Sequence, residues 1–255
     1  MRYILSLIVF VLLINTGQSQ ILLLMDIDSA TTLPSGGSVY ATDSLRYAWV
    51  HTSLSAGSIS TWGSSTGSLN LVIPDADTSY RPIKTAGGLI FDGNDALQAT
   101  TPAGVGDTEI SLEFVIQLTD SGIQQKIGGV RLDSANVINI RTRAGYLCAY
   151  ANNGTIYRMD VDPYPAFAQV VYIVVTWSGG AAKPQIYING ILKSEVGESY
   201  LGEGMNTDII TLSDRDANML SVGSNVLYFA VREYELDATE VLNNYNSSTI
   251  QDLIP

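Results

Sequence analysis

The chain has 255 residues, 46% of them hydrophobic, enough apolar material for one large domain with a substantial core. Its 13 Lys and Arg against 25 Asp and Glu give a net charge of −12, which argues against nucleic acid or an anionic membrane as partner. One cysteine, Cys148, rules out an intramolecular disulfide, and one histidine, His51, rules out a zinc set not built mainly from carboxylates.

Residues 1–19 read as a secretory signal peptide. Arg2 gives a positive start, Ile4 to Ile14 is an apolar run broken by Ser6, and Gly17 and Ser19 are small residues at cleavage spacing. The run is too short to span a bilayer, where about 20 residues are needed. The expected mature chain, 20–255, is a single domain with 12 Lys and Arg against 25 Asp and Glu, a charge of −13. Such acidity suits a soluble secreted protein, extracellular or periplasmic, or one that holds cations. A secreted domain of this size without disulfides points to a bacterial source.

Beyond the signal, strand patterns dominate. Ser53 to Ser68, rich in Ser, Gly and Thr, reads as a long surface loop. Gly88 to Phe91 and Ala96 to Thr100 are short strands. From Glu109 to Leu118, Ile110, Leu112, Phe114, Ile116 and Leu118 share one face, while Ser111, Glu113 and Gln117 take the other, interrupted by Val115; this predicts a half-buried strand. Further strands follow over Val137 to Thr142, Gly145 to Ala151 and Thr155 to Asp160. Cys148 lies in an apolar run and is expected to be a buried, inert thiol. Val170 to Trp177 reads as a central strand, and Gln185 to Ile188 as its partner. Asn189 and Gly190 carry a strong hairpin signal, with Ile191 to Val196 as the return strand. Asp208 to Leu212, Leu220 to Gly223 and Leu227 to Tyr234 are the last strands. One helix is predicted, with Asp237 at its N-cap and Glu240 closing a capping box. Val241, Leu242 and Tyr245 would share its buried face, and the helix would cover one end of the molecule. Many short strands without alternating helices imply an all-β, antiparallel two-sheet sandwich with one short C-terminal helix.

Several segments, in order, resemble the laminin-G-like jelly-roll domains of bacterial and phage proteins within the concanavalin A-like lectin and glucanase superfamily. Leu45 to Trp49 is similar to the opening strand, Ser58 to Trp62 to a small-Val-Ser-x-Trp segment, and Tyr80 to Pro82 to an Arg-Pro step. Leu89 to Leu97 resembles the Phe-Asp-Gly-x-Asp turn. Val174 to Gly180 with Ile186 to Gly190 resembles the most recognisable hairpin, and Leu220 to Gly223 with Ala230 to Tyr234 the closing strands. The likeness covers residues 40–246 and implies a jelly roll that binds ligands through loops or a concave sheet. The fold hosts lectins, hydrolases, adhesins and structural proteins, so the resemblance names no substrate. It departs at His51 and Thr52, where relatives carry an acidic residue after the opening strand.

Catalytic readings find little support. Gly63 to Gly67 matches a nucleophile-elbow pattern, but a strand follows it and the one histidine precedes it, the reverse of what the elbow needs. A glycosidase needs carboxyl groups about 5–9.5 Å apart. Glu109 and Glu113 would stand roughly 13 Å apart on a strand, whereas Glu233 with Glu235 and Asp160 with Asp162 would stand at roughly 7 Å. The Glu-x-Asp-x-x-Glu pattern of this fold's glucanases is absent. For calcium as a structural cofactor, Asp214, Asp216 and Asn218 offer oxygen ligands at alternate positions, and Asp92, Asn94 and Asp95 form a second cluster; both also suit ordinary turns.

Sugar recognition would use aromatic faces with planar polar groups. Tyr187 and Asn189 alternate with core residues and should face outward, as should Asn139, Arg141 and Arg143, with Tyr157 and Arg158 nearby. Arg141, Tyr157, Tyr187 and Asn189 are the predicted ligand-binding set on a sheet face, with Trp62 and Tyr80 the loop candidates. The sequence therefore predicts a secreted, non-catalytic binding module, either carbohydrate-binding or adhesive, whose partner is an extracellular glycan or a cell-surface protein. The alternatives are a structural or assembly protein of a surface or virion, and a polysaccharide hydrolase.

Overall fold

The computed structural model describes residues 45–66, 69–74, 77–105, 109–119, 125–131, 136–143, 146–153, 156–161, 168–178, 184–193, 207–213 and 224–254. They lie within one compact unit, 39–255. The expected signal peptide, the Leu220 to Gly223 strand and the Asp214, Asp216 and Asn218 loop fall outside the described residues.

The described strands form two antiparallel sheets, as the sequence predicts. Sheet A contains β1 (Leu45–Val50), β2 (Gly57–Ser58), β5 (Ile83–Thr85), β6 (Gly88–Phe91), β8 (Ile110–Gln117), β13 (Val170–Trp177), β14 (Gln185–Ile188), β15 (Ile191–Leu192) and β17 (Ser224–Arg232). Its order is β15-β14-β13-β8-β17-β6-β5-β2, with β1 also pairing β17. Sheet B runs β12-β11-β10-β9-β16-β7-β4-β3. Its strands are β3 (Thr61–Gly63), β4 (Asn70–Val72), β7 (Leu97–Val105), β9 (Gln125–Arg131), β10 (Asn136–Arg143), β11 (Tyr146–Asn153), β12 (Ile156–Val161) and β16 (Thr207–Leu212).

Between the sheets lies a large apolar core. Trp49, Phe229, Phe114, Ile173 and Ile188 stand in one continuous register row across β1, β17, β8, β13 and β14. Three of them stack, Trp49 on Phe229 at 5.3 Å and Phe229 on Phe114 at 4.7 Å between ring centroids. Sheet B answers with Trp62, Leu71, Ile127, Val130, Ile140, Leu147, Ile210 and Leu212. The Asn189–Gly190 hairpin forms with both residues at positive φ, 51° and 77°, the geometry that matches strand twist in a two-residue turn.

Four sequence expectations need correction. Ser53 to Ser68 contains β2 and β3 and buries Ile59 and Trp62, so the Ser and Gly content hid two short strands. β8 is not half-buried: all of Ile110–Ile116 is buried, because its second face is covered as well. The cover is the C-terminal segment, α1 (Ala238–Tyr245) and α2 (Ser248–Gln251), which lies over the outer face of sheet A rather than at one end. Leu236, Val241, Ile250 and Leu253 join Val115, Tyr172, Val174, Tyr187, Leu227 and Tyr228 in a second apolar cluster. The capping box forms as predicted, with the Asp237 carboxylate accepting from the Thr239 and Glu240 amides at 2.7 and 2.8 Å. The buried face of α1, however, carries Val241 and Asn244, while Leu242 is 44% exposed.

Candidate functional site

The outer face of sheet A holds a buried polar network. Ser111, Glu113 and Val115 alternate outward on β8, opposite Thr176, Val174 and Tyr172 on β13 and Arg232, Ala230 and Tyr228 on β17. Glu113 forms an ion pair with Arg232 Nε and accepts from the Tyr172 hydroxyl, while Asn244 of α1 donates to it at 3.2 Å. Glu113 and Arg232 are each about 1% exposed. Burial works to lower the Arg232 pKa, but the Glu113 carboxylate outweighs it, so the guanidinium is held charged beyond its usual range. Burial, followed by the charge of Glu113, drives the Tyr172 and Tyr228 phenols well above their ordinary values. Tyr245 stacks on Tyr172 at 6.1 Å and completes the lid. This is docking chemistry for the helix.

The network accounts for two of the predicted ligand contacts. Tyr187 does point away from the inter-sheet core, but it is 2% exposed beneath the C-terminal segment, its hydroxyl donating to Gln185 at 2.8 Å. Asn189 serves the hairpin: its side-chain oxygen accepts from the Tyr172 amide at 2.9 Å. Trp62 is fully buried and donates its indole N–H to the Val50 carbonyl at 3.2 Å. None of the three offers a free ring or amide face to a sugar. Tyr157 pairs with Ala151, whose neighbour Ile138 pairs with the core residue Val130, so its register row differs from that of Arg141; its side chain lies outside the described residues.

What the structure does bring together lies at one end of sheet B. Arg141 pairs with Lys126 on β9 and with Cys148 on β11, and Cys148 is buried as expected. Both Arg141 and Lys126 are half-buried. One register step away, Gly128, Leu212 and Leu97 align across β9, β16 and β7. The Ser213 amide, just past β16, donates to the Ile127 carbonyl at 2.9 Å at this end of the sheet. The loop before β7 arrives here too. Ala96 donates to the Tyr80 carbonyl at 3.3 Å, and the Asn94 side chain donates to Ser79 at 3.0 Å. Half-buried Tyr80, exposed Asn94 and half-buried Arg141 thus share one end of the sheet, with β10 and β7 three strand spacings, about 14 Å, apart.

The Asp92 to Asp95 loop is held by turn chemistry. Asp92 accepts from the Asn94 amide at 2.9 Å, and Asp95 accepts from the Asp92 amide at 2.8 Å. Among the described residues no three His, Cys, Asp or Glu side chains gather as metal ligands would. Asp95 is 2% exposed, and burial, reinforced by the neighbouring Asp92 carboxylate against the Asp92 amide, raises it to about 7. The folded state therefore binds an extra proton between the unfolded carboxylate value near 4 and about 7. That stability is fully present below about pH 4 and is lost as pH rises through 7. Asp95→Asn should abolish this slope and raise the Tm at pH 8 by at least about 2–4 °C, the equivalent of 1 kcal/mol, in thermal melts across pH.

Strand spacing does not apply to the Glu233 and Glu235 pair. Glu233 and Glu235 follow the end of β17 at Arg232, outside any strand, and Glu113 is enclosed by Arg232, Tyr172 and Asn244. Burial and then Glu109 raise Glu235. Asp162 lies outside the described residues. In the supposed elbow, the Ser65 hydroxyl and amide both bond the Ala48 carbonyl and tie the loop to β1.

No protein-family model and no curated protein matches the sequence. Solved structures do match in fold. The receptor binding domain of botulinum neurotoxin D aligns at 13% identity and TM-score 0.58 over 80% of this chain and 52% of that one. The botulinum neurotoxin serotype D ligand binding domain in complex with N-acetylneuraminic acid aligns at 13% and 0.56, over 81% and 51%. Trypanosoma rangeli sialidase aligns at 13% and 0.62, over 89% and 37%. The chain spans about half the length of the toxin domains and little more than a third of the sialidase. At such identity the likeness is one of fold.

Proposed function

We propose that this chain is a non-catalytic, carbohydrate-binding or adhesive module of a secreted protein, of the laminin-G-like jelly-roll type. The observation that carries the reading is the placement of Arg141, Lys126, Tyr80 and Asn94 at one end of sheet B. A guanidinium, an amide and a phenol there supply the planar donors and aromatic surface that sugar hydroxyls and rings select. The matched structures include a toxin domain solved with N-acetylneuraminic acid, which supports a glycan partner for this fold. Non-catalytic action is supported by the enclosure of Glu113 and the placement of Glu233 and Glu235 beyond β17. Among the described residues no helix is long and apolar enough to cross a membrane.

A glycan-array screen, run with and without calcium, tests the reading, with reducing-sugar release measured on every hit. The expected result is retention of at least one glycan without turnover. The calcium arm examines Asp214, Asp216 and Asn218, because an ion bound there in the folded state would raise the Tm. Reducing-sugar release abolished by Glu233→Gln or Glu235→Gln would instead make the chain a hydrolase. A structural or assembly role draws support from Ile191, Leu192 and Leu242, exposed by 61, 49 and 44%, with Leu242 packed near the Gly190 turn. Failure to retain any glycan, together with self-association lost on Leu192→Glu, would favour that role.

A further inference from the structure

The joint between β1 and β6 carries a second polar feature. Both strands pair with the same edge of β17, β6 through Val226 and β1 from Tyr228 onward, so the chain leaves the sheet where they meet. The departure is the 3-10 turn His51–Ser53, which packs against β6 and β17. His51 there is 7% exposed, and its Nδ1 has no hydrogen-bond partner. Lys84 on β5, next to β6, is likewise 7% exposed, and its ammonium donates to the carbonyl of Thr85. No carboxylate pairs with it among the described residues.

An ammonium on a largely enclosed side chain has three donors to satisfy, and the Thr85 carbonyl takes one of them. Lys84 acts electrostatically on His51, and burial and Lys84 together hold the imidazole below its usual value. Burial also lowers Lys84. Of the strands packed on the turn, β6 has no titratable side chain, and β17 has Tyr228 and Arg232, which lie on the outer face with Glu113. Two cation-forming groups therefore lie at one joint of sheet A, His51 on the turn that packs against β6 and Lys84 on the strand paired with β6, with no carboxylate bonded to either among the described residues, in a chain of charge −12.

We propose that His51 and Lys84 form a binding site for a small free oxyanion of the sulfate type, accepting from the Lys84 ammonium and from the imidazole. The site is separate from the end of sheet B and does not depend on the glycan reading. Its ligand would supply the counter-charge that the fold omits, and its affinity would rise as His51 takes up a proton. The slight exposure of both side chains gives the ion a route from solvent.

His51 is the single histidine, so its ring resonance reports on this site alone. The test follows that resonance from pH 4.5 to 8 by NMR, in sodium sulfate and in sodium chloride of equal ionic strength. The midpoint should lie below 6.5 in chloride and rise by about one unit in sulfate, saturating with concentration; by linkage, that is about ten-fold tighter binding to the protonated site. Lys84→Met keeps the aliphatic stem, should raise the midpoint in chloride, and should abolish the sulfate response. Lys84→Arg should preserve that response and covers the case in which the Met variant does not fold. Equal midpoints in the two salts, or a sulfate response that survives Lys84→Met, would overturn the proposal.

Discussion

Arg232→Met should destabilise the chain by about 3–5 kcal/mol, because it strands Glu113 as a buried carboxylate with its charge uncompensated. The Tyr172 hydroxyl and Asn244 amide would still donate to Glu113, but neither carries charge. Glu113→Gln on its own removes the acid, keeps an acceptor for Tyr172 and Asn244, and takes the carboxylate away from the guanidinium. It should also destabilise. The double variant should recover a large part of the loss, since removing both charges is far less costly than removing one. Urea unfolding of the two singles and the double makes the cycle. Additive losses in the double variant would mean that the pair is not coupled as the geometry requires. The same experiments probe the helix, because Asn244 reaches Glu113 from α1: protease sensitivity after Ser247 should rise in either single variant.

Trp62→Ala should cost a similar amount, about 3–5 kcal/mol, through the cavity left by a fully buried indole and the loss of its bond to Val50. Trp62 lies on β3, beside Leu71 of β4 in register, so the cavity would open under the short strands at the edge of sheet B. Thermal or urea unfolding measures this loss directly. Tyr187→Ala should behave the same way, in proportion to its burial under the C-terminal segment. A Trp62→Ala chain that unfolds like the parent would contradict the placement of the ring in the core.

Much of the architecture is legible in the sequence because local chemistry and global fold agree there. Asn189 and Gly190 demand positive φ at both turn positions and get it; Asp237 and Glu240 close their capping box; the even-numbered residues of β8 face the inter-sheet core. β9 is not marked as a strand by its sequence, since the adjacent Gly128 and Gly129 weaken the strand signal. Gly128 is there for a different reason: a Cβ would stand 2.9 Å from both the Phe114 ring and the Thr211 carbonyl, where the opposite sheet presses onto the strand. The site was harder to read. Periodicity tells which residues leave one core, not whether a second element covers them, and so Tyr187 reads as outward yet lies beneath α1 and α2. Val115, the apolar exception among Ser111, Glu113 and Gln117, was the signal of that cover. Tyr80 and Arg141 are far apart in sequence, and the register of β7, β16, β9 and β10 is what brings them to the same end.

The affinity of the purified chain for its best array glycan, measured for the parent, Arg141→Ala and Tyr80→Ala beside their melting temperatures, tests the proposed surface most directly. Charge-assisted hydrogen bonds and aromatic contacts of this kind contribute on the order of 1–3 kcal/mol each, so the account predicts roughly ten-fold or greater loss of affinity in both variants while both remain folded, Tyr80→Ala with a lower Tm because its ring packs in part against the inter-sheet core. Full affinity in both variants, with binding lost in Tyr187→Ala at parental Tm, would contradict it and return the site to the helix-covered face of sheet A.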